Sequence, residues 1–333
     1  IMLNISNVNS FNNNLLGIQN NNKKFDSESK KDINSYNCDY KSYNVENLFH
    51  PKHDTVCIDS TTFIEKDDYE WTPEGERRWS YTRYYRKVEN IARVLTNIGE
   101  WDGVDIVGLQ EVENALCVKR LCYTLRPGEY DFVHYESPDR RGIDVALIYK
   151  KGRVDTIATR AIKVKGERVN GERLITRDIL YVCAQIDKRD TVHFFVCHLP
   201  SQRGGKAESE WKRRVAKEVL EEAVDSVFKV QAEAKIVVMG DMNAEDLEVK
   251  GLKDERMKGE GTHKYQGRWT CLDHFYTSPS LNSLSRAEIY NAAWIQEPDE
   301  KYLDLKPKRT YNGFRYQKDG FSDHLPIVLT VSL

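Results

Sequence analysis

The stretch Lys235–Asn243, KIVVMGDMN, decides how the rest of the chain is read. Ile236, Val237, Val238 and Met239 form a short apolar run suited to a strand buried on both faces. Gly240 lets the chain turn, and Asp241 and Asn243 follow at once. Alternate residues of a strand face the same way, so these two side chains point together off its carboxyl end. A carboxylate and an amide placed there can share a hard cation and a phosphate oxygen. A strand that merely ends in a polar turn has the same look. Recurrence separates the two readings, because apolar runs flanked by such residues return several times.

Working outward, Val192–His198 ends in His198, and Val104–Leu109 runs into Gln110 and Glu111. Lys41–Val45 leads into Asn44, Glu46 and Asn47, and Asp323 and His324 precede Leu325–Val331. Asp273 sits inside the strand-like run Thr270–Tyr276. Stability alone explains such a set poorly, since buried charge is costly unless paired or metal-bound. Further strands are expected at Phe132–Tyr135, Asp144–Tyr149, Val154–Thr159, Ile179–Ile186 and Ala287–Asn291. From Tyr81 to Ile98 the pattern turns helical, with Tyr84, Val88, Ile91, Val94, Leu95 and Ile98 on one stripe. Helices are also expected over Glu113–Leu125 and about Lys206–Val230. Strand pairs outnumber strictly alternating units. The expected fold is therefore an α/β sandwich of two mixed sheets packed face to face, with helices outside.

Residues 1–40 are crowded with Asn, Ser and Lys and read as a disordered leader, leaving a domain over 41–333. Residues 50–80 form a long polar segment of the kind that is functional or mobile. The net charge of -2 excludes a generally basic nucleic-acid binder but leaves room for a local basic groove. The seven cysteines include no metal-type CxxC pair, and Cys183 and Cys197 lie in apolar runs. They read as thiols of a reducing compartment. No run reaches the ~18 apolar residues of a membrane span. No basic-then-apolar export signal is visible, so the expected localisation is cytoplasmic.

SYNVENLF, GLQEVEN, GDMN and FSDHLPI, in that order, resemble the motifs of the endonuclease/exonuclease/phosphatase superfamily. This is the four-layer α/β fold of deoxyribonuclease I, exonuclease III-type repair nucleases, sphingomyelinases and inositol polyphosphate phosphatases. The resemblance spans about residues 41–333. It implies Glu111 as principal Mg²⁺ ligand, with Asn44 beside it and Asp323 as a further metal or metal-water ligand; Mn²⁺ or Ca²⁺ are substitutes. His324 matches the His that contacts the scissile phosphate, as general base or charged stabiliser, and Asp273 the Asp that fixes its tautomer. Asp241 and Asn243 match the pair that orients the attacking water and holds a phosphate oxygen. Glu46 is left open as ligand, supporting acid or cap.

His198 resembles the His that deoxyribonuclease I and sphingomyelinases carry where exonuclease III-type enzymes carry Tyr. Glu136, in HYESPDRRG, resembles the acid that holds this His. Arg177 looks like the phosphate-contacting Arg of the same branch, and Arg140, Arg141 and Arg203 offer further phosphate contacts. His134, His193, His263 and His274 read as structural. Trp269 and Tyr311–Tyr316 read as packing or as flanks of a groove. The implied activity is Mg²⁺-dependent phosphodiester hydrolysis by in-line attack of water, with DNA preferred over RNA as substrate. Two histidines titrating near neutrality would give a bell-shaped pH–rate profile. The alternatives are a phospholipase C-type (sphingomyelinase-like) enzyme, an inositol-phosphate phosphatase and a catalytically silent binding protein. EKDDYEWTPEGERRW, SPDRRGIDVALIY, HLPSQRGG and YQGRWTCLDH resemble a bacterial subgroup of the superfamily. Many of those relatives look exported, which competes with the cytoplasmic expectation.

Overall fold

A computed structural model describes residues 36–57, 63–168, 170–202, 204–257, 259–281 and 285–333. Twelve strands build the sandwich: β1 Asn37–Leu48, β2 Ile106–Val112, β3 Tyr130–His134, β4 Asp144–Lys150, β5 Val154–Ile162, β6 Ile179–Ile186, β7 Asp190–His198, β8 Lys235–Asp241, β9 Lys253–Asp254, β10 Asp273–Thr277, β11 Ser285–Ile289 and β12 Ile327–Ser332. The helices are α1 Tyr81–Gly99, α2 Ala115–Leu125 and α3 Lys206–Val230. One six-stranded sheet runs β11-β12-β1-β2-β4-β3, the other β9-β10-β8-β7-β6-β5. Each is mixed. β1 and β2 are parallel, as are β7 and β8, while the remaining neighbours are antiparallel.

Period-two alternation explains the layering. On β8, Val237 and Met239 enter the layer between the sheets, where Phe194, Val196, Phe275, Ile106 and Leu147 also lie. Ile236 and Val238 face outward under α3, against Leu220, Val224 and Val227. α1 and α2 cover the outer face of the first sheet through Val88, Ile91, Leu95, Val118 and Leu121. The result is the four-layer sandwich that the sequence predicts. Ser80 Oγ accepts from the Arg83 N–H at the start of α1. Asn114 Oδ1 caps the Leu116 and Cys117 amides of α2.

β1 begins at Asn37, four residues ahead of the predicted Lys41, with Cys38 and Tyr40 fully buried. Residues 1–35 of the predicted leader lie outside the described residues. Short hairpins form outside the two large sheets, and one of them takes Thr270 from the expected strand Thr270–Tyr276, which begins instead at Asp273. The hairpins are Thr55–Cys57 with Phe63–Glu65, His263–Tyr265 with Arg268–Thr270, Gln296–Asp299 with Asp304–Pro307, and Tyr311–Asn312 with Arg315–Tyr316. Each is too short for its alternation to stand out. Among the described cysteines, Cys38, Cys117, Cys122, Cys183, Cys197 and Cys271 are free thiols. Among the described residues no helix is long and apolar enough to cross a membrane.

Two glycines set close approaches. At Gly108 a Cβ would stand 2.6 Å from Met239 Sδ of the opposite sheet. Gly240 has φ +141°, and its Cβ would stand 1.9 Å from the Cys197 carbonyl oxygen. Gly240→Ala is therefore expected to destabilise the fold by at least ~2 kcal/mol, read as a lowered urea midpoint. An unchanged midpoint would show that β8 does not need this backbone conformation.

Candidate active site

The polar residues continue the apolar alternation of the inter-sheet layer at one end of the sandwich. Asp241 follows Val237 and Met239, His198 follows Phe194 and Val196, Asp273 precedes Phe275, and Asn44 follows Tyr40. Asp241 is in register with His198 on one side and with Asp273 on the other. Side chains directly opposite one another on neighbouring strands share a face. Three of the polar side chains are thus aligned by pairing alone, and Asn44 meets Asp241 from the first sheet.

Alternation fails for Glu111. Val107 and Leu109 face the helices, so a regular strand would send Glu111 there too. A bulge between Gln110 and Val112 prevents this, and Glu111 takes φ +65°. That conformation costs about 1–2 kcal/mol for a non-glycine residue. The Glu111 carboxylate accepts the Asn47 N–H at 2.9 Å. Its other oxygen stands 3.9 Å from His198 Nε2 and 3.9 Å from Arg141 Nη2.

Asp241 is the centre of the constellation. Its Oδ2 accepts from Asn44 Nδ2 at 3.0 Å and faces His198 Nε2 at 3.6 Å and His324 Nε2 at 3.8 Å. Oδ1 accepts the Asn243 N–H at 2.8 Å. The Asn243 side chain donates to the Leu199 carbonyl at 3.0 Å. His324 Nδ1 bonds Asp273 Oδ2 at 2.8 Å, the pairing expected from the sequence. Asp323 holds Arg309 at 3.1 Å.

These contacts separate the two histidines electrostatically. Burial opposes charge on His324, but Asp273, Asp241 and Asp323 outweigh it and raise its pKa well above the ordinary value. For His198, burial acts with Arg177, Arg141 and His324 to lower the pKa well below the ordinary value. The expected pair of histidines titrating near neutrality is therefore not what the geometry provides. Burial and the neighbouring Asp273 instead push the Asp241 carboxyl up to about 7, against the pull of His324.

Other expected roles are redistributed. Glu136 does not hold His198; its carboxylate lies 3.1 Å from Lys66 Nζ. His198 Nδ1 is buried without a hydrogen-bond partner. Arg177 is 5% exposed, with Nε on the His198 carbonyl, Nη2 on the Leu199 carbonyl and Nη1 on Asp139 at 2.9 Å. It braces the backbone of the His198 segment. Arg141 stays at the site and donates to Asn47 Oδ1 at 2.8 Å, while Arg140 is exposed. Arg203 lies outside the described residues. Glu46 accepts the Thr310 N–H at 2.6 Å and faces the buried Lys87 at 3.8 Å, so it ties the 308–323 segment to the sandwich.

Two contributors escaped the sequence reading. His263 pairs with His324 across an isolated bridge and packs its ring on the His324 ring, with centroids 4.8 Å apart. Lys87 hides in the polar stripe of α1 yet bonds Thr310 Oγ1 and the Phe321 carbonyl. Neither carries a local motif; only the long-range contact gives it meaning. His193 bonds Tyr181, and His274 bonds Asp254 and nearby carbonyls. Trp269 bonds Asp304, and Tyr311 and Tyr316 pack on Trp79.

The donors suit a hard divalent cation. Asp273 Oδ1 is buried with no hydrogen-bond partner. Asp241, Asp273 and His324 form one close group, and His263, Asp323 and His324 form another. Four carboxylates, from Glu111, Asp241, Asp273 and Asp323, converge on a site where buried charge needs a counter-ion. Glu111 itself joins no close trio of acid or imidazole donors among the described residues.

Residues 40–332 match the model of the endonuclease/exonuclease/phosphatase family. The solved structures that resemble the chain include TDP2 of Caenorhabditis elegans, at 16% identity and TM-score 0.55, covering 90% of this chain and 75% of that one. An endonuclease/exonuclease/phosphatase family protein of Bacteroides thetaiotaomicron aligns at 14% identity and TM-score 0.57, over 89% of this chain and 98% of its own. A mannosyl-6-phosphatase of the same organism aligns at 15% identity and TM-score 0.52, over 88% and 98%. No curated protein sequence matches.

Asp273→Asn is expected to lower the His324 pKa in metal-free protein, followed through the imidazole NMR signals in EDTA. A folded-state pKa above the unfolded value gives stability that is full below about 6.5 and fades as pH rises through the folded value. The variant's stability deficit should therefore be largest just below pH ~6.5 and shrink at alkaline pH. An unmoved imidazole titration would remove Asp273 as the cause.

Proposed function

The chain belongs to the endonuclease/exonuclease/phosphatase family, and on that premise we propose that it is a Mg²⁺-dependent, deoxyribonuclease I-like endonuclease hydrolysing phosphodiester bonds of DNA. The observation that carries this reading is the pair of imidazoles on one carboxylate. His198 and His324 stand 3.6 and 3.8 Å from the same oxygen of Asp241. A phosphodiester needs help at two oxygens, the one that enters and the one that leaves. A carboxylate with two imidazoles beside it can serve both.

Glu111 and Asn44 would hold the cation, with Asp323 reaching it directly or through water. When bound, the cation neutralises charge that develops on the phosphate. The protein's own groups supply the rest. Asp273 keeps the Nδ1 proton of His324 in place, so Nε2 is presented to the phosphate as a charged donor. Asp241, at about 7, is poised to orient the attacking water and accept its proton. Asn44 and the Asn243 amide fix that carboxylate. The leaving oxygen can take the Nε2 proton of His324, while His198, held neutral and braced through its carbonyl by Arg177, is placed to hydrogen-bond a phosphate oxygen. Arg141, beside Glu111, supplies a guanidinium to a non-bridging oxygen.

The test is nicking of supercoiled plasmid by the purified chain with Mg²⁺ or EDTA. Mg²⁺-dependent nicking is expected, with losses of about 10²–10⁴-fold for Glu111→Ala, His198→Ala and His324→Ala. Mg²⁺-dependent release of phosphate from monoesters such as mannose 6-phosphate, without nicking, would replace this reading with a phosphatase. Activity on sphingomyelin or inositol phosphates would replace it with those lipid- or inositol-directed alternatives.

A further inference from the structure

A second cluster of charged groups lies across the first sheet, outside the constellation around Asp241. His134 closes β3, Asp144 opens β4 and Glu136 lies in the turn between them. Asp144 is in register with Val112 of β2, so the cluster sits at the same end of the sheet as Glu111. One nitrogen and two carboxylate oxygens, from His134, Glu136 and Asp144, lie within 4.8 Å of one another. The His134 side chain is 2% exposed, and its Nε2 has no hydrogen-bond partner. The nearest acid, Asp144 Oδ2, stands 3.8 Å away, beyond hydrogen-bond reach. A buried imidazole nitrogen without a hydrogen-bond partner therefore stands close to two carboxylates.

We propose that His134, Glu136 and Asp144 form a second metal site, taking a divalent transition ion such as Zn²⁺ or Mn²⁺. One imidazole with two carboxylates suits that class, whereas Mg²⁺ takes oxygen donors and retains water. Three protein ligands leave a position for water, as in open zinc sites. The Asp144 carboxylate is fixed by Ser137 Oγ, the kind of supporting contact that orients a ligand. Burial holds His134 down at about 4, so the ring is neutral and keeps a lone pair at neutral pH.

The cation now facing the cluster is Lys66, 3.1 Å from Glu136. It competes with the metal but has other partners. Its Nζ donates to the Glu113 carbonyl at 3.4 Å and stands 3.8 Å from Asp54. An arriving dication shifts Lys66 onto these two groups.

The experiment measures metal bound per chain after dialysis of the whole protein against Zn²⁺ or Mn²⁺ in the presence of saturating Mg²⁺. Wild type should retain one transition ion more than His134→Gln or Asp144→Asn, and Glu111→Gln should keep that additional ion. Melting temperature in EDTA establishes that the variants are folded. Lys66→Met provides an independent arm; without the competing ammonium it should bind the ion roughly tenfold more tightly. Should His134→Gln fail to fold, unchanged Zn²⁺ affinity in Lys66→Met overturns the proposal. It is equally overturned by an unloaded wild type, or by folded His134→Gln that loads like wild type.

Discussion

A single buried carboxylate between two imidazoles constrains most of this molecule. Asp241 cannot be placed there by β8 alone. It needs β7 in register to bring His198 and β10 in register to bring Asp273. It also needs the opposite sheet to bring Asn44 and the segment carrying His324. A one-residue slip of either neighbouring strand would turn its functional side chain to the face under α3. The apolar layer between the sheets therefore fixes register for the site as well as burying surface. Gly108 against Met239 shows how tightly the two sheets are spaced to allow it.

Where regular strands cannot deliver a side chain, the backbone departs from regularity. Glu46, Asn47, Glu111 and Asn243 all have positive φ, and all lie at or beside the site. Such conformations persist because surrounding contacts over-determine them. Glu111 is anchored by the Asn47 amide, Glu46 by Thr310 and Lys87, and Asn243 by Leu199. Lys87 and Thr310 touch no reacting group, yet through Glu46 they tie the chain leading to Asp323 and His324 onto β1.

The fold was legible because its main elements carry unambiguous periods. β6 and α3 have the predicted bounds, and α1 and β4 differ from theirs by one residue at one end. The face on which Asp241, His198 and Asp273 meet follows from counting alternate residues. Glu111 was identified by its motif, although alternation points it the wrong way; the bulge that corrects it has no signature in LQEVEN. Resemblance pairs Glu136 with His198, but its partner Lys66 comes from a segment with no regular pattern. From the sequence His263 reads as structural, since its place against His324 depends on an isolated bridge between residues 61 positions apart. Ion pairs and bridges between distant segments are invisible to periodicity, and these account for what was missed.

Three hairpins lie outside the two large sheets. One carries His263, one is tied through Asp304 to Lys264, and one follows the Thr310–Glu46 contact. Their tips present Tyr265, Leu303 and Phe314 to solvent. None of their strands pairs with a strand of the sandwich. Their lengths can drift under mutation while the register behind Asp241 stays fixed. Such an arrangement separates two kinds of sequence constraint, one on the paired strands that align Asp241 with its neighbours and a looser one on the hairpins outside them.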